Sequence, residues 1–152
     1  MVKIQMLLLW CAAIFVSQCN MSKQNATINK PVTSLPQAAI EDLNWMILRA
    51  DTVDFSKLEP RKIPILIFHK DGKNFSGTSG CNNILGDYLL DKNSLTFDKI
   101  SSTEMFCAGL MDAEYALLQA LREAKTYTAT ETTCQLLGSD QKVLVLLQKI
   151  KK

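Results

Sequence analysis

The sequence predicts an α+β fold, a curved antiparallel β-sheet of roughly eight short strands wrapped around one amphipathic helix. Three observations lead there. Short apolar runs separated by Gly, Asn and Asp fill Trp45 to Phe97. The stretch Met111 to Lys125 then changes to a helical period. Further short apolar runs follow it.

Asn44 to Leu48 reads as the first strand, with Trp45 as its core anchor. Asp51 to Lys62 is polar and loop-like. Ile63 to Phe68 is a strong strand, with Pro64 near its start, where proline is tolerated. Asp71-Gly72 turns the chain into Lys73 to Gly77. Asp87 to Leu90 is the next strand, and Asp91-Lys92-Asn93 leads it into Ser94 to Phe97. In the helix, Tyr115, Leu118 and Leu121 recur at three-residue steps beside Leu117 and Ala124. Asp112 is the expected N-cap, and Glu114 sits favourably in the first turn. Thr126 to Thr130, Cys134 to Leu137 and Val143 to Leu147 complete the sheet, the last two joined by a turn at Gly138 to Gln141.

The 152 residues fit one domain. A net charge of +2 offers no basic footprint, so no nucleic-acid partner is expected. Five irregularly spaced cysteines and one histidine fit neither a zinc ribbon nor a disulfide-dense mini-protein.

Residues 1–18 read as a lipoprotein-type signal peptide. Lys3 supplies the positive end, and Ile4 to Ser17 is nearly all apolar. A helix of about fourteen residues reaches roughly 21 Å, short of the ~30 Å hydrocarbon core, so a cleaved segment is favoured over a spanning helix. Val16-Ser17-Gln18-Cys19 resembles a bacterial lipobox, although Gln18 stands where a small residue is usual. By that resemblance Cys19 is acylated and becomes the mature N-terminus. Ordinary cleavage after Cys19 is the alternative and would leave a soluble periplasmic or secreted domain. Asn20 rather than Asp follows, which directs the anchor toward the outer membrane, facing the periplasm. Residues 19–38 are polar, carry Pro31 and Pro36, and read as a flexible tether before a domain at residues 39–152.

The most distinctive stretch is Ser76 to Tyr88, Ser-Gly-x-x-Gly-Cys-Asn-x-x-x-Gly-x-Tyr. Leu95-Thr96-Phe97 follows, then Ser102-Thr103 and Met105-Phe106-Cys107, and Glu114 opens a helix that runs toward Tyr127. This order resembles the META domain, the family that includes the heat-shock protein HslJ. The resemblance spans residues 41 to 148. Gly80, Asn82, Gly86, Tyr88 and Thr103 are the matching motif positions. It implies an antiparallel sheet of about eight strands around one helix, export to the envelope, and a link to stress or drug tolerance. It brings no catalytic residue, and it implies a disulfide between Cys81 and Cys107. A bridge closing about 27 residues is worth on the order of 3.5 kcal/mol. Cys134 stands where the family usually has leucine, as a small buried hydrophobe or a stray thiol.

Catalytic chemistry finds little support. Gly77-Thr78-Ser79-Gly80 is not a nucleophile elbow. His69, at a hairpin end, reads as a solvated surface residue. No Cys-x-x-Cys pair or calcium-loop spacing is present, and no metal or cofactor is expected. The lysines of Lys142 to Lys152 read as guards on a terminal strand edge.

The expected function is therefore a non-enzymatic, membrane-anchored envelope lipoprotein that binds an unidentified envelope protein or acts in envelope stress. The alternatives are a carrier of a small apolar ligand or lipid, held between sheet and helix, and a protease inhibitor or chaperone-like partner.

Overall fold

In a computed structural model, the structure describes residues 38–151. The signal segment, Cys19 and the tether up to residue 37 lie outside the described residues. The strands are β1 (Asn44–Ala50), β2 (Val53–Asp54), β3 (Ile65–His69), β4 (Asn74–Thr78), β5 (Asn83–Asp91) and β6 (Ser94–Ser102). After the helix α1 (Met111–Glu123) come β7 (Thr126–Ala129), β8 (Thr133–Leu137) and β9 (Val143–Lys149). All pair antiparallel in one nine-stranded sheet around the one α-helix of the described residues, so the α+β class holds.

The sheet is more than curved. β1 pairs with β3 through Asn44 to Met46 and with β9 from Trp45 to Ala50, so the first and last strands join and the sheet closes. β9 is therefore an interior strand, and the lysines from Lys142 to Lys151 guard no edge. Lys142 instead bonds the Asp51 carboxylate at 2.7 Å. The weakest seam is β6–β7, where only Ser94 and Thr126 pair. The helix α1 connects these strands in the chain and packs on β6, β9 and β1.

Several boundaries differ from the sequence reading. β3 begins at Ile65, beyond Pro64, which has no N–H to give a ladder. In the β3–β4 hairpin the left-handed residue is Lys73 (φ 49°), not Gly72. β5 begins at Asn83, earlier than the start at Asp87 read from the sequence. Asp51 to Lys62 holds β2 and two short 3₁₀ turns. Leu110 occupies the cap position of α1 without a side-chain bond, so Asp112 is not the N-cap.

The helix phase is also corrected. Tyr115 is 65% exposed, whereas Leu117, Leu121 and Ala124 are buried together with Glu114 and Ala120. A strict three-residue step drifts around a helix of 3.6 residues per turn, so the stripe through Tyr115 leaves the core face. The true stripe runs 114, 117, 121, 124, the mixed spacing an amphipathic helix requires.

The interior is filled by Trp45, Phe55, Phe68, Phe75 and Tyr88 among aliphatic residues. Trp45 is the expected anchor, and its indole N–H donates to the Ile40 carbonyl at 2.9 Å. Phe68 and Phe75 each pack on Phe97, with ring centroids 5.9 and 5.2 Å apart. Cys134 is fully buried on β8, and burial pushes its thiol up to about 12. It serves as a small hydrophobe.

Gly86 lies opposite Phe75, at the register shift between Leu85 and Asp87. A Cβ there would sit 2.7 Å from the Phe75 ring and 2.8 Å from the Asp98 carbonyl oxygen. Neither neighbour can yield, because the ring is held against Phe97 and the oxygen is backbone. Gly86→Ala should therefore destabilise the fold by about 2 kcal/mol or more. Urea denaturation measures this, and an unchanged midpoint would show that the sheet adjusts freely.

Candidate functional site

The site is built where the β4–β5 turn, the end of β6 and the first turn of α1 meet. Gly80 takes φ +99°, which favours glycine, and a Cβ there would lie 2.5 Å from the Lys62 carbonyl oxygen. The turn closes through the Ser79 N–H to the Asn82 carbonyl at 2.8 Å, while the Asn82 N–H donates to Ser79 Oγ at 3.1 Å. Ser79 and Asn82 are thereby directed inward and buried.

There they meet Glu114, which is only 6% exposed. Its Oε2 accepts from Ser79 Oγ at 2.8 Å and from Asn82 Nδ2 at 2.9 Å. Its Oε1 accepts from Ser102 Oγ and from Asn82 Nδ2, both at 3.0 Å. Among the described residues no lysine or arginine joins the cluster. A buried carboxyl group is tolerable only when such donors replace water. Glu114 is thus a structural centre, not the surface dipole partner that its first-turn position implies.

Asn82 also grips the chain after β6. Its Oδ1 accepts from the Thr103 hydroxyl at 2.7 Å and from the Met105 N–H at 2.8 Å. Its Nδ2 donates to the Met105 carbonyl at 3.0 Å. Thr103 is held a second time, accepting from the Asn83 N–H at 3.1 Å and donating its own N–H to the Asn83 carbonyl at 3.0 Å. Cys107 is joined to Cys81 by a disulfide. Segment 103–107 is therefore clamped at Thr103, Met105 and Cys107, and between the last two sits Phe106, 81% exposed.

Glu104, Met105, Phe106 and Met111 border an open depression of ≈ 450 Å³ beside Asn82 and Glu114. Met111 and Tyr115 lie one helical turn apart and are both exposed, extending the apolar surface along α1.

A META domain family model matches residues 38–151. The chain belongs to the META-domain family. The match covers the whole described region, in agreement with the resemblance read from the motif. Solved structures share this META fold. An NMR structure of a protein from Burkholderia xenovorans is similar at TM-score 0.59 and 21% identity, over 74% of this chain and 85% of that one. A second protein NMR structure gives TM-score 0.52 at 22% identity, over 72% of this chain and 90% of that one. A crystal structure of a DUF4847 family protein from Bacteroides vulgatus ATCC 8482 gives 0.52 at 12% identity, over 74% of this chain and 94% of that one. At these identities the likeness establishes the fold alone. No curated protein matches the chain.

The META motif residues divide into two groups. Gly80, Asn82 and Thr103 form the clamp, with Cys81 and Cys107 beside them. Gly86 and Tyr88 lie elsewhere, in β5. The Tyr88 hydroxyl donates to Glu41 Oε1 at 2.6 Å, and Lys73 Nζ bonds the same oxygen. Burial and the Glu41 carboxylate push the phenol up from its ordinary value. His69 is half-buried rather than fully solvated, with Nε2 2.7 Å from Ser76 Oγ. Sequence reading gave Ser79, Ser102 and Glu114 no place in a site, although Ser102 and Glu114 stand in the motif order. A signal for Glu114 was present, since it shares a helix face with Leu117 and Leu121.

Removing the Glu114 carboxyl would leave the Ser79, Ser102 and Asn82 donors without their acceptor. Glu114→Ala should cost about 2–4 kcal/mol and raise amide exchange at Met105. A loss under about 1 kcal/mol with unchanged exchange would refute the central role given to Glu114.

Glu41 predicts a pH dependence. Burial alone would raise its carboxyl, but the bonds from Lys73 and Tyr88 and the lysine charge hold it below its ordinary 4.5. Its contribution is present above that ordinary value and lost as pH falls through the lower folded one. Glu41→Gln should therefore be less stable than wild type at neutral pH and converge with it once the pH has fallen through the lowered folded value, measured by denaturation across an acid titration.

Proposed function

We propose that the chain is a non-enzymatic envelope protein, anchored by acylation at Cys19, whose META domain binds another protein through segment 103–107. The observation that carries this reading is Phe106. A large apolar ring stands in water on a backbone clamped on both sides. Exposed apolar groups of this kind mark interaction sites, and a pre-ordered loop loses little entropy on binding. The reading assigns no catalytic residue and no cofactor.

The anchoring half of the proposal rests on the lipobox-like Val16 to Cys19, on the apolar run before it and on the polar tether after it. A Cys81–Cys107 bridge is in keeping with an oxidising compartment outside the cytosol. The anchor is assigned to the outer membrane, facing the periplasm.

Two measurements test the two halves. A photoreactive residue in place of Phe106, in the full chain expressed in a bacterial envelope, should cross-link to protein. The same residue at exposed Lys92 should not. Adducts at neither position, or to lipid alone, would overturn the binding role. The intact mass should correspond to an acylated chain starting at Cys19, gaining one hydrogen per bridged sulfur on reduction. An unacylated chain starting at Asn20 would replace the anchored form with a soluble periplasmic or secreted one.

A further inference from the structure

The chemistry around Phe106 narrows what the partner presents, resting on the reading above that this segment binds protein. Residues 74–91 and 100–121, which supply the turn, the loop and most of α1, contain no lysine and no arginine. The chain as a whole carries 17 of them against 15 acidic residues, so these stretches are an acidic exception. Glu104 and Asp112 both face solvent here. Among the described residues neither carboxylate has an ion-pair or hydrogen-bond partner. Asp87 on β5, by contrast, is bonded to Lys99 at 2.8 Å.

The unpaired Glu104 carboxylate, an uncovered aromatic ring and two thioethers, Met105 and Met111, thus meet at one depression, with Asp112 next to Met111 in the chain. Each suits part of one type of group. A cationic head bonds carboxylates and is attracted to the face of an aromatic ring. Its aliphatic stem lies along apolar surface, and methionine adapts its shape to what it covers. An anionic membrane surface would be repelled by the same carboxylates. We infer that the depression bordered by Glu104, Met105, Phe106 and Met111 docks a partner-protein segment presenting arginine or lysine next to an apolar side chain.

The test titrates the full chain into two fluorescein-labelled peptides, one of alternating leucine with arginine and lysine, the other with glutamate at each basic position. Anisotropy should show binding of the basic peptide, weakened by added salt, and none of the acidic one. Glu104→Lys and Phe106→Ala should each weaken binding about tenfold, while Glu131→Lys, on the β7–β8 turn, should not. All three positions are exposed, and unchanged far-UV circular dichroism would confirm that the variants fold. Equal or tighter binding of the acidic peptide would overturn the inference, as would basic-peptide binding that Glu104→Lys leaves intact. Failure of both peptides overturns it too. Self-association lost in Phe106→Ala would then assign the surface to a second copy of the chain. If both peptides fail while position 106 still cross-links to another protein, the binding role stands and only its cationic chemistry falls.

Discussion

A buried carboxyl group without a cation must draw its hydrogen bonds from neutral donors, and Glu114 draws them from segments far apart in the chain. Ser79 and Asn82 come from the β4–β5 turn, and Ser102 from the end of β6. The helix carrying Glu114 is therefore fixed in rotation as well as position. A shift by one residue would bury Ala113 or Tyr115 there and leave three donors unmatched in the interior. Apolar packing alone tolerates such slippage more readily, because methylene groups have no direction.

Asn82 is what converts this helix anchor into a loop anchor. Its amide has two faces of opposite polarity, and the surroundings use both. The carbonyl side receives the Thr103 hydroxyl and the Met105 N–H. The amino side serves the Glu114 carboxyl and the Met105 carbonyl. Aspartate could not donate, and leucine could do neither, so the asparagine of the Gly-Cys-Asn motif has a specific chemical reason. The Cys81–Cys107 bridge acts in parallel, spanning 26 residues of sequence. In the chain-entropy view it disfavours the unfolded ensemble by about 3.5 kcal/mol. The bridge acts chiefly on the unfolded chain, and Asn82 on the folded loop.

Those separate roles explain what was legible in the sequence. Local signals were read well. Ile65 to His69 is rich in strand formers, and the apolar run at Val143 is bounded by turn residues, so both elements were found within a few residues. The period change at Met111 marked the helix, but its phase was misread because Tyr115 and Leu118 are apolar and compete with Leu117. Closure of β1 on β9 leaves no local trace, since pairing between distant segments depends on the whole sheet's curvature. Glu114 was hidden for a related reason. A glutamate in a first helical turn has an ordinary surface explanation, and its burial shows only when two other segments supply donors. The motif did place Gly80, Asn82, Thr103 and the two cysteines together, because a family pattern records contacts that spacing alone does not.

The same distinction separates fold from function. Proteins that share this sheet at 12–22% identity establish how the backbone runs and nothing about what it holds. Function must come from groups the barrel does not need. Phe106 is 81% exposed, and Glu104 and Asp112 pair with nothing among the described residues. Removing all three would leave Trp45, the aromatic cluster and the Glu114 network intact. Yet the backbone bearing Phe106 is held by an asparagine, a threonine and a disulfide. A loop with no task could have been left free at less cost in ordering entropy. The restraint lies on the backbone and the exposure on the side chain, a division expected of a surface shaped for a partner.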